Sequence, residues 1–284
     1  MRTRRYAQLA AALGANAYVQ GFLAKTLYQG RAKGVCVPVL NCYACPSALF
    51  SCPIGAIQHF MVLHRVPYYV LGSLGAVGAL VGRMPCGTLC PFGFLQELLY
   101  KVPSVKIALP RYVRPFPYLF LISLVFVVPW FSGESWFSKL CPVGTLMGGV
   151  PWVVLSPDIR ALVRDLFWIK MAILLFFLAS SVVARRPFCQ TSCPLGALLG
   201  LFNRLSFLRL RWDADRCTHC DKCLAVCPME IRVYEGANTG HCIRCLDCTA
   251  CEAITVTTVF SPEEGGEEGG RAAAGCPAGH PAPR

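Results

Sequence analysis

Apolar residues along the chain fall into four long runs separated by short basic segments. The runs are Tyr6 to Ala24, Val66 to Gly82, Pro115 to Gly133 and Phe167 to Ala184. Because a helix that crosses a bilayer needs about 20 mainly apolar residues, they predict about four transmembrane helices. The fourth run contains one charge, Lys170, which can reach the membrane surface. Three amide side chains dilute the first run, and a signal peptide is the alternative there.

The basic segments predict an orientation. Four crossings put the N-terminus, the 83–114 loop and everything after residue 185 on one side, and that side carries the larger share of Lys and Arg. Such an excess is typical of the cytoplasmic side. We therefore expect a multi-pass protein of a prokaryotic cytoplasmic (inner) membrane, with membrane lipid as a partner. This topology explains the formal net charge of +12 without nucleic acid.

Near residue 210 the long apolar runs end and a stretch of mixed polarity begins. We expect an all-α polytopic membrane domain over residues 1–210, and a small α+β domain over 211–260 in which cysteines are dense. Residues 261–284 are rich in Gly, Glu, Ala and Pro and predict a disordered tail, with Cys276 as a free thiol. The 18 cysteines of a chain this long, several in C-x2-C spacing, favour metal binding over a disulfide framework.

A doubled cysteine pattern fills the C-terminal domain. CTHCDKCLAVCP has the C-x2-C-x2-C-x3-C-P spacing of bacterial ferredoxins, and CIRCLDCTAC follows without the final proline. In this pattern three cysteines of each run bind one cubane, and the fourth reaches the other cubane. Cluster I is expected on Cys217, Cys220, Cys223 and Cys251, and cluster II on Cys242, Cys245, Cys248 and Cys227. Zinc is the alternative, since it also binds paired C-x2-C motifs.

The tetrad Cys-Pro-x-Gly occurs four times in the membrane part. Its copies begin at Cys52, Cys90, Cys141 and Cys193 and alternate with the apolar runs, which indicates duplication of a two-span unit. Proline suits the first turn of a helix, so each tetrad predicts a short helix behind its cysteine. The N-terminus of that helix would face an anionic cluster. We expect the glycine to let the backbone approach the cluster sulfur.

The remaining cysteines divide into two sets by predicted topology. The inner set, at the cytoplasmic face, has the four members that one [4Fe–4S] cluster requires: Cys86, Cys90, Cys189 and Cys193. The outer set has five members, of which four are expected to bind: Cys36, Cys42, Cys45, Cys52 and Cys141. Cys52 and Cys141 are favoured, with two of the others. Disulfides such as Cys36–Cys42 are the alternative on an oxidising side. The membrane part thus predicts one or two clusters.

Other cofactors find little support in the sequence. It contains no C-x-x-C-H motif for c-type haem, and no G-x-G-x-x-G or Walker A run for a nucleotide. His59 and His64, just before the second run, could bind a quinone carbonyl or haem, although a structural or interfacial role is favoured. His219 and His241 lie beside cluster cysteines and are expected to be exposed loop residues.

The motifs resemble a known family. GRMPCGTLCPFGFLQELLYKVP and RPFCQTSCPLGALLGLFNRLS, followed by the doubled ferredoxin run, are similar to the polytopic 4Fe–4S membrane proteins related to NapH and to the C-terminal half of NosR. The resemblance implies a membrane electron-transfer protein linked to the quinone pool, with ferredoxin clusters in the cytoplasm. The outer cysteines are not part of that resemblance and indicate a separate partner.

The expected function is therefore an iron–sulfur electron relay. Electrons would pass between the quinone pool, or a membrane-side partner, and a soluble or membrane redox partner protein. The chain would then be an electron-transfer subunit of an oxidoreductase of the quinol dehydrogenase type. The alternative is an accessory, regulatory or metal-centre assembly protein that uses its clusters for redox sensing.

Overall fold

The computed structural model describes residues 2–260 and is mainly helical. The helices are α1 (Arg2–Ala15), α2 (Gln20–Ala24), α3 (Pro53–Val62), α4 (Tyr68–Val81), α5 (Met84–Thr88), α6 (Pro91–Leu99), α7 (Arg111–Ser132), α8 (Trp136–Leu140), α9 (Pro142–Leu155), α10 (Pro157–Ala161), α11 (Asp165–Val183), α12 (Pro187–Thr191), α13 (Pro194–Leu201) and α14 (Lys222–Val226). Short 3-10 helices cover Arg31–Gly34, Phe202–Arg204, Val233–Glu235 and Asp247–Ala250. The expected tail over 261–284, with Cys276, lies outside the described residues.

Two strands close the cysteine-rich C-terminal part. β1 (Leu208–Trp212) pairs antiparallel with β2 (Ile254–Thr258), so that Leu208 lies opposite Thr258 and Trp212 opposite Ile254. The pairing holds the two ends of this part together. A small core forms behind the strands from Leu210, Cys223, Val233, Cys248 and Ile254. The α+β character predicted from the sequence is present, and β1 begins slightly before residue 211.

Two helices are long and apolar enough to cross a membrane. They are α7, with 22 residues, and α11, with 19, and they match the third and fourth predicted spans. Only 22% of the most apolar window of α7 and 11% of that of α11 are buried, which leaves their apolar side chains free to face lipid. α7 contains a π-helical stretch, Leu121–Val127.

The structure corrects the first predicted span, which is not one continuous helix. α1 ends at Ala15, and the chain turns before α2 begins at Gln20. Gln8 is fully buried, and its Nε2 donates a hydrogen bond of 3.0 Å to the Gly87 carbonyl oxygen. Asn16 donates to the carbonyl oxygen of Ala12. Two of the three amides that diluted this run therefore bond to the protein itself, and α1 packs alongside α5 and α6.

The second predicted span is also shorter than expected. α4 has 14 residues, or about 21 Å at about 1.5 Å per residue. That is less than the roughly 30 Å of a hydrocarbon core. The helix ends at Gly82, which has φ +61, and the space a side chain would fill there holds Asn203 and the Arg244 guanidinium. The described residues thus contain two full-length candidate spans rather than four.

Each long helix carries two of the Cys-Pro-x-Gly helices. α3 and α13 pack against α7, whereas α6 and α9 pack against α11. In this way each long helix supports one member of the inner pair and one member of the outer pair. The main core lies between these helices and includes the four inner cysteines together with Cys52 and Cys141.

Candidate functional site

All four tetrads begin helices as the sequence predicted. Cys52, Cys90, Cys141 and Cys193 are the N-caps of α3, α6, α9 and α13, and a proline follows each as the first helical residue. The Cys90 Sγ accepts a hydrogen bond from the Gly93 N–H at 3.5 Å, and the Cys193 Sγ accepts one from the Gly196 N–H at 3.3 Å. The free N–H groups of α6 and α13 therefore point at sulfur, which favours an anionic cluster there.

The structure brings the four inner cysteines together. Cys86 and Cys90 flank the junction of α5 and α6, Cys189 and Cys193 flank that of α12 and α13, and all four thiols are buried. Burial raises the pKa of Cys90 to about 12, and the neighbouring Cys189 and Cys86 contribute to the rise. The same two causes raise the pKa of Cys193. Four thiolates can share this site only if cations compensate their charge.

Two arginines cross between the halves of the inner site. Arg83 and Arg186 each precede the first cysteine of their own motif by three positions and are 2% and 1% exposed. The Arg83 Nη2 donates to the Cys189 carbonyl oxygen at 3.0 Å, and the Arg186 Nη1 donates to the Cys86 carbonyl oxygen at 2.7 Å. Each arginine therefore forms a hydrogen bond to the backbone of the other half of the site.

These guanidinium groups occupy the space that the tetrad glycines leave open. A Cβ on Gly196 would collide with the Arg83 guanidinium, and one on Gly93 would lie 2.9 Å from the Arg186 Nη1. The expected role of these two glycines, clearance for cluster sulfur, is therefore corrected. They are small because an arginine from the other motif packs on them.

The two arginines differ in their counter-charges. The Arg186 Nη2 lies 2.7 Å from the Glu97 Oε1, whereas Arg83 forms no ion pair with any residue between 2 and 260. The Arg83 Nε is buried and has no hydrogen-bond partner among residues 2–260. Because a buried charge is costly unless it is paired, the inner site lacks an anion that would balance Arg83. A four-thiolate cluster fits this requirement.

Glu97 connects the inner site to the C-terminal part. It accepts from Arg186 and from Arg4, and Arg4 also lies 2.9 Å from the Asp247 Oδ2. Burial raises the pKa of Glu97, but the two guanidinium groups lower it by more, so that the pKa lies below its usual value. Glu97 is therefore ionised near neutral pH, and an alternating chain of charges joins α6, α1 and the cysteine-rich part.

Two buried glutamines were missed by the sequence reading. Gln96 and Gln58 lie six positions after Cys90 and Cys52, and both are fully buried. The Gln96 Oε1 accepts from the Phe188 N–H, and its Nε2 donates to the Cys189 Sγ at 3.3 Å. The Gln58 Oε1 accepts from the backbone and hydroxyl of Ser138. Each glutamine thus ties one tetrad helix to its partner motif, and the shared C-P-x-G-x-x-Q spacing could have revealed them.

Three of the five outer cysteines surround one cavity. Cys42, Cys52 and Cys141 line a space of about 260 Å³ between α3, α9 and the 36–52 loop. Each of the three interacts electrostatically with the other two. Cys36 and Cys45 do not line this cavity. Every described cysteine is a free thiol.

The outer site has no buried arginine. Tyr43 packs on Gly55, and the Cys42 Sγ lies near Gly144 and Gly148, in positions that the guanidinium groups hold at the inner site. Its cations are instead Lys139 and Lys170, which line the cavity. The two sites therefore share their tetrads but differ in charge.

The eight ferredoxin cysteines fall into two sets around two small cavities. One cavity is lined by Cys217, Cys220, Cys223 and Cys251, and the other by Cys227, Cys242, Cys245 and Cys248. Backbone N–H groups again point at sulfur: the Ile231 N–H donates to the Cys227 Sγ at 3.4 Å. The grouping is the one that the ferredoxin spacing predicts for clusters I and II.

The inner site directly adjoins the second of these sets. A Cβ on Gly87, next to Cys86, would lie 3.2 Å from the Cys245 Cα. The Arg83 Nη1 also donates to the Gly240 carbonyl oxygen at 3.0 Å, and the Asn203 Nδ2 donates to the Cys242 carbonyl oxygen at 2.7 Å. The two cysteine sets are thus separated by little more than one layer of backbone.

The positions of the histidines and the cysteines bear on the haem, quinone and zinc alternatives. His59 and His64 are exposed, and His219 and His241 stack edge-on against Tyr234 and Tyr118. Among residues 2–260, no three His, Cys, Asp or Glu side chains are arranged to share one metal ion. A zinc ion is held by four ligands at once, whereas each thiolate of a cubane binds a different iron.

Comparison with known proteins also indicates binding of 4Fe–4S clusters. A family model described as a 4Fe-4S binding domain matches residues 70–110, 113–159 and 165–213, and a second one matches residues 210–234. These ranges contain the inner set, Cys141 and the first ferredoxin run, whereas Cys36 to Cys52 precede them.

Related proteins extend the match over most of the chain. An uncharacterized protein of Methanocaldococcus jannaschii is 30% identical over 224 residues, which cover 74% of this chain and 87% of the relative. The putative electron transport protein YccM of Escherichia coli is 26% identical over 212 residues, 70% of this chain and 57% of YccM. The regulatory protein NosR of Stutzerimonas stutzeri is 28% identical over 172 residues, 57% of this chain and 22% of NosR. No solved structure matches.

The family resemblance seen in the motifs is thereby confirmed. The matched domains carry the paired C-x3-C-P motifs, and the relatives include proteins named for electron transport. The chain belongs to the family of ferredoxin-type 4Fe–4S electron-transport proteins to which these relatives belong.

Proposed function

We propose that this chain is a membrane-bound relay that passes electrons through four [4Fe–4S] clusters. Two clusters are held by the ferredoxin sets, one by the inner set and one by the outer set. The observation that carries the proposal is Arg83, a buried cation beside four buried cysteines with no carboxylate partner in the described chain. A four-thiolate cluster has a net negative charge and supplies the missing counter-ion. When bound, each cluster can take up and release one electron.

Contacts between the sites support a fixed order of transfer. The backbone contact of Gly87 with Cys245 joins cluster II to the inner site. α1 then spans from Arg4, at the inner site, to Ala15, whose carbonyl oxygen accepts from the Leu49 N–H in the outer loop. That distance is about 17 Å along the helix axis, at about 1.5 Å per residue. It is well below the roughly 30 Å of a hydrocarbon core, so two recessed sites shorten the step.

The proposed topology keeps the N-terminus and the ferredoxin part in the cytoplasm of a prokaryote. The ion pair between Arg4 and Asp247 supports a common side for them. α7 and α11 would be full spans, with α4 and α9 as shorter helices in the membrane. Several arginines of the predicted basic excess are site residues, so the positive-inside argument depends on exposed cations such as Arg5, Lys101 and Arg111.

The two ends of the relay would have different partners. A cleft of about 190 Å³ beside cluster II is lined by Arg5, Lys101 and Arg185 and supports docking of an acidic redox partner protein. At the membrane end, the family resemblance supports a quinone as donor or acceptor. A sensing or regulatory role is the second candidate, because one relative is named a regulatory protein.

Quinol-dependent reduction tests this function. We expect duroquinol to bleach the cluster absorbance of the full chain in proteoliposomes, and an added acceptor to restore it over repeated cycles. Cys193→Ser should interrupt the relay, whereas Cys276→Ala, which alters a cysteine outside every proposed set, should not. Clusters that dithionite reduces but duroquinol never does would contradict a quinone-linked relay. One round of reduction without turnover would favour the sensing role.

A further inference from the structure

The outer cavity presents three thiols, not four. The Cys42 Sγ would lie 3.4 Å from a Cβ on Gly148 and 3.8 Å from one on Gly144, so it faces the first turns of α9. Cys52 and Cys141 are the N-caps of α3 and α9, and both thiols are buried. The three sulfurs thus approach one space from three separate segments.

The other two outer cysteines do not line the cavity, although Cys36 lies near Cys52 and Cys45 near Cys42. Cys45 is buried outside the cavity, and its Sγ lies 3.1 Å from the Ser47 Oγ. Cys36 forms a backbone bridge with Ser51, is half-buried near Cys52 and does not line the cavity. Neither residue therefore contributes a thiol to the cavity wall.

Cations and aromatic rings complete the cavity wall. Lys170 lies close enough to Cys42 and Lys139 to interact electrostatically with both, and it forms no ion pair among residues 2–260. Lys139 is paired with Glu134 at 2.8 Å. Trp152 and Phe167 provide apolar walls. An unpaired lysine at the edge of a candidate membrane helix, facing a thiol-lined cavity, marks a site for an anion.

We propose that the outer site holds a [4Fe–4S] cluster on Cys42, Cys52 and Cys141 alone, with its fourth iron open to the cavity. The open iron would bind a small anionic ligand, and the Lys170 ammonium would balance its charge. This inference rests on the outer cluster of the proposed function and makes that site ligand-binding rather than only electron-transferring. The inner site, with four thiolates and two buried arginines, has no such position.

An open iron has a chemical consequence that can be observed. When ferricyanide removes one electron from a [4Fe–4S]²⁺ cluster, the three-thiolate form releases Fe²⁺ and becomes [3Fe–4S]⁺. Ferricyanide becomes ferrocyanide, and the three remaining irons keep all four sulfides and all three thiolates. A fourth thiolate would hold the last iron more firmly, so the three-thiolate cluster should convert at the lowest ferricyanide concentration.

EPR of the ferricyanide-oxidised full chain tests the thiolate count. We expect an oxidised [3Fe–4S] signal of one spin per chain that is absent in Cys42→Ser and retained in Cys36→Ser and Cys45→Ser. If the chain contains four cubanes but shows no such signal, or if Cys36→Ser or Cys45→Ser loses the outer cluster, the open-iron proposal is overturned and the relay stands. If only three cubanes are present and Cys42→Ser changes nothing, the outer cluster itself is absent.

Cyanide titration of the reduced chain tests the open coordination position. We expect cyanide to shift one EPR signal of the wild type and of Lys170→Arg. Lys170→Met should need about tenfold more cyanide, because the neighbouring cation is lost. A reduced spectrum that cyanide leaves unchanged, in a chain whose outer cluster is present, would show that the fourth iron is already coordinated and would overturn the proposal.

Discussion

Arg83 and Cys189 lie 106 positions apart in the chain, yet the Arg83 Nη2 donates a hydrogen bond of 3.0 Å to the Cys189 carbonyl oxygen. Arg186 makes the reciprocal bond to Cys86. The two halves of the inner site are therefore joined by the same cations that face its thiols. Such an arrangement couples the assembly of the site to its electrostatics, since losing either arginine removes both a positive charge and a link between the halves.

Arg83→Gln should lower the reduction potential of the inner cluster. Reduction adds negative charge, and a nearby cation stabilises the reduced form. A charge pair at about 4 Å contributes about 4 kcal/mol at an effective dielectric constant near 20, and about 59 mV corresponds to a tenfold change for one electron. We expect a fall of about 60 mV or more in an EPR redox titration. Arg83→Lys should retain most of the potential, and an unchanged potential in Arg83→Gln would argue against this role.

Gly196→Ala should destabilise the chain. Its Cβ would collide with the Arg83 guanidinium, and overpacking of this kind costs about 1–3 kcal/mol. The matched control is Gly144→Ala, in the equivalent outer tetrad, where the nearest atom, the Ser138 carbonyl oxygen, is 3.6 Å away. Thermal unfolding in detergent should separate the two variants by several degrees. Equal melting temperatures would contradict the packing described here.

Glu97→Gln should lower stability by about 3–5 kcal/mol, because it leaves the buried Arg186 unpaired. The lowered pKa of Glu97 means that its contribution is present above the usual carboxylate range and is lost only as the pH falls through that lower pKa. The deficit should therefore be the same at about pH 6 and about pH 8.

The control for Glu97→Gln is Glu134→Gln, which removes the exposed pair with Lys139 and should cost about 1 kcal/mol or less. Both variants can be compared by chemical unfolding in detergent. A deficit for Glu97→Gln no larger than that for Glu134→Gln would mean that the Arg4–Glu97–Arg186 chain does not hold the two parts together.

Gly87→Ala should slow electron transfer between cluster II and the inner cluster. The added methyl group would press on the Ile243 carbonyl oxygen and the Cys245 backbone and push the two sites apart. Flash-reduction kinetics should show slower equilibration, while the equilibrium fraction of reduced clusters stays nearly unchanged. Gly72→Ala, with no atom within 4 Å of its new Cβ, is the control. Unchanged kinetics in Gly87→Ala would indicate another route.

The local chemistry of the site could be predicted because it is encoded in short spacings. Cys-Pro-x-Gly fixes the start of a helix through proline and a capping sulfur, so all four helices began where the sequence indicated. The two long apolar helices could be predicted because length and hydropathy are read directly from the sequence.

Long-range partners could not be predicted from those patterns. Arg83 and Arg186 read as ordinary basic residues of loops, because nothing local shows that each reaches the glycine of the other motif. In the sequence Gln8 weakens the prediction of a membrane span, but in the structure it is buried and donates a hydrogen bond to the Gly87 carbonyl oxygen. Two hints are present in the sequence: each arginine lies three positions before its cysteine, and each glutamine lies six positions after its cysteine. A comparison of the repeated motifs together with their flanking residues would have found both.

Iron and acid-labile sulfide analysis of the purified full-length chain, combined with Mössbauer spectroscopy, tests the four-cluster relay most directly. The account predicts four [4Fe–4S] clusters per chain, and the loss of one of them in a Cys86→Ser, Cys193→Ser double variant. Iron and sulfide for only two clusters, unchanged in that double variant, would contradict it, because the ferredoxin part would then hold all of the iron and the membrane sites none.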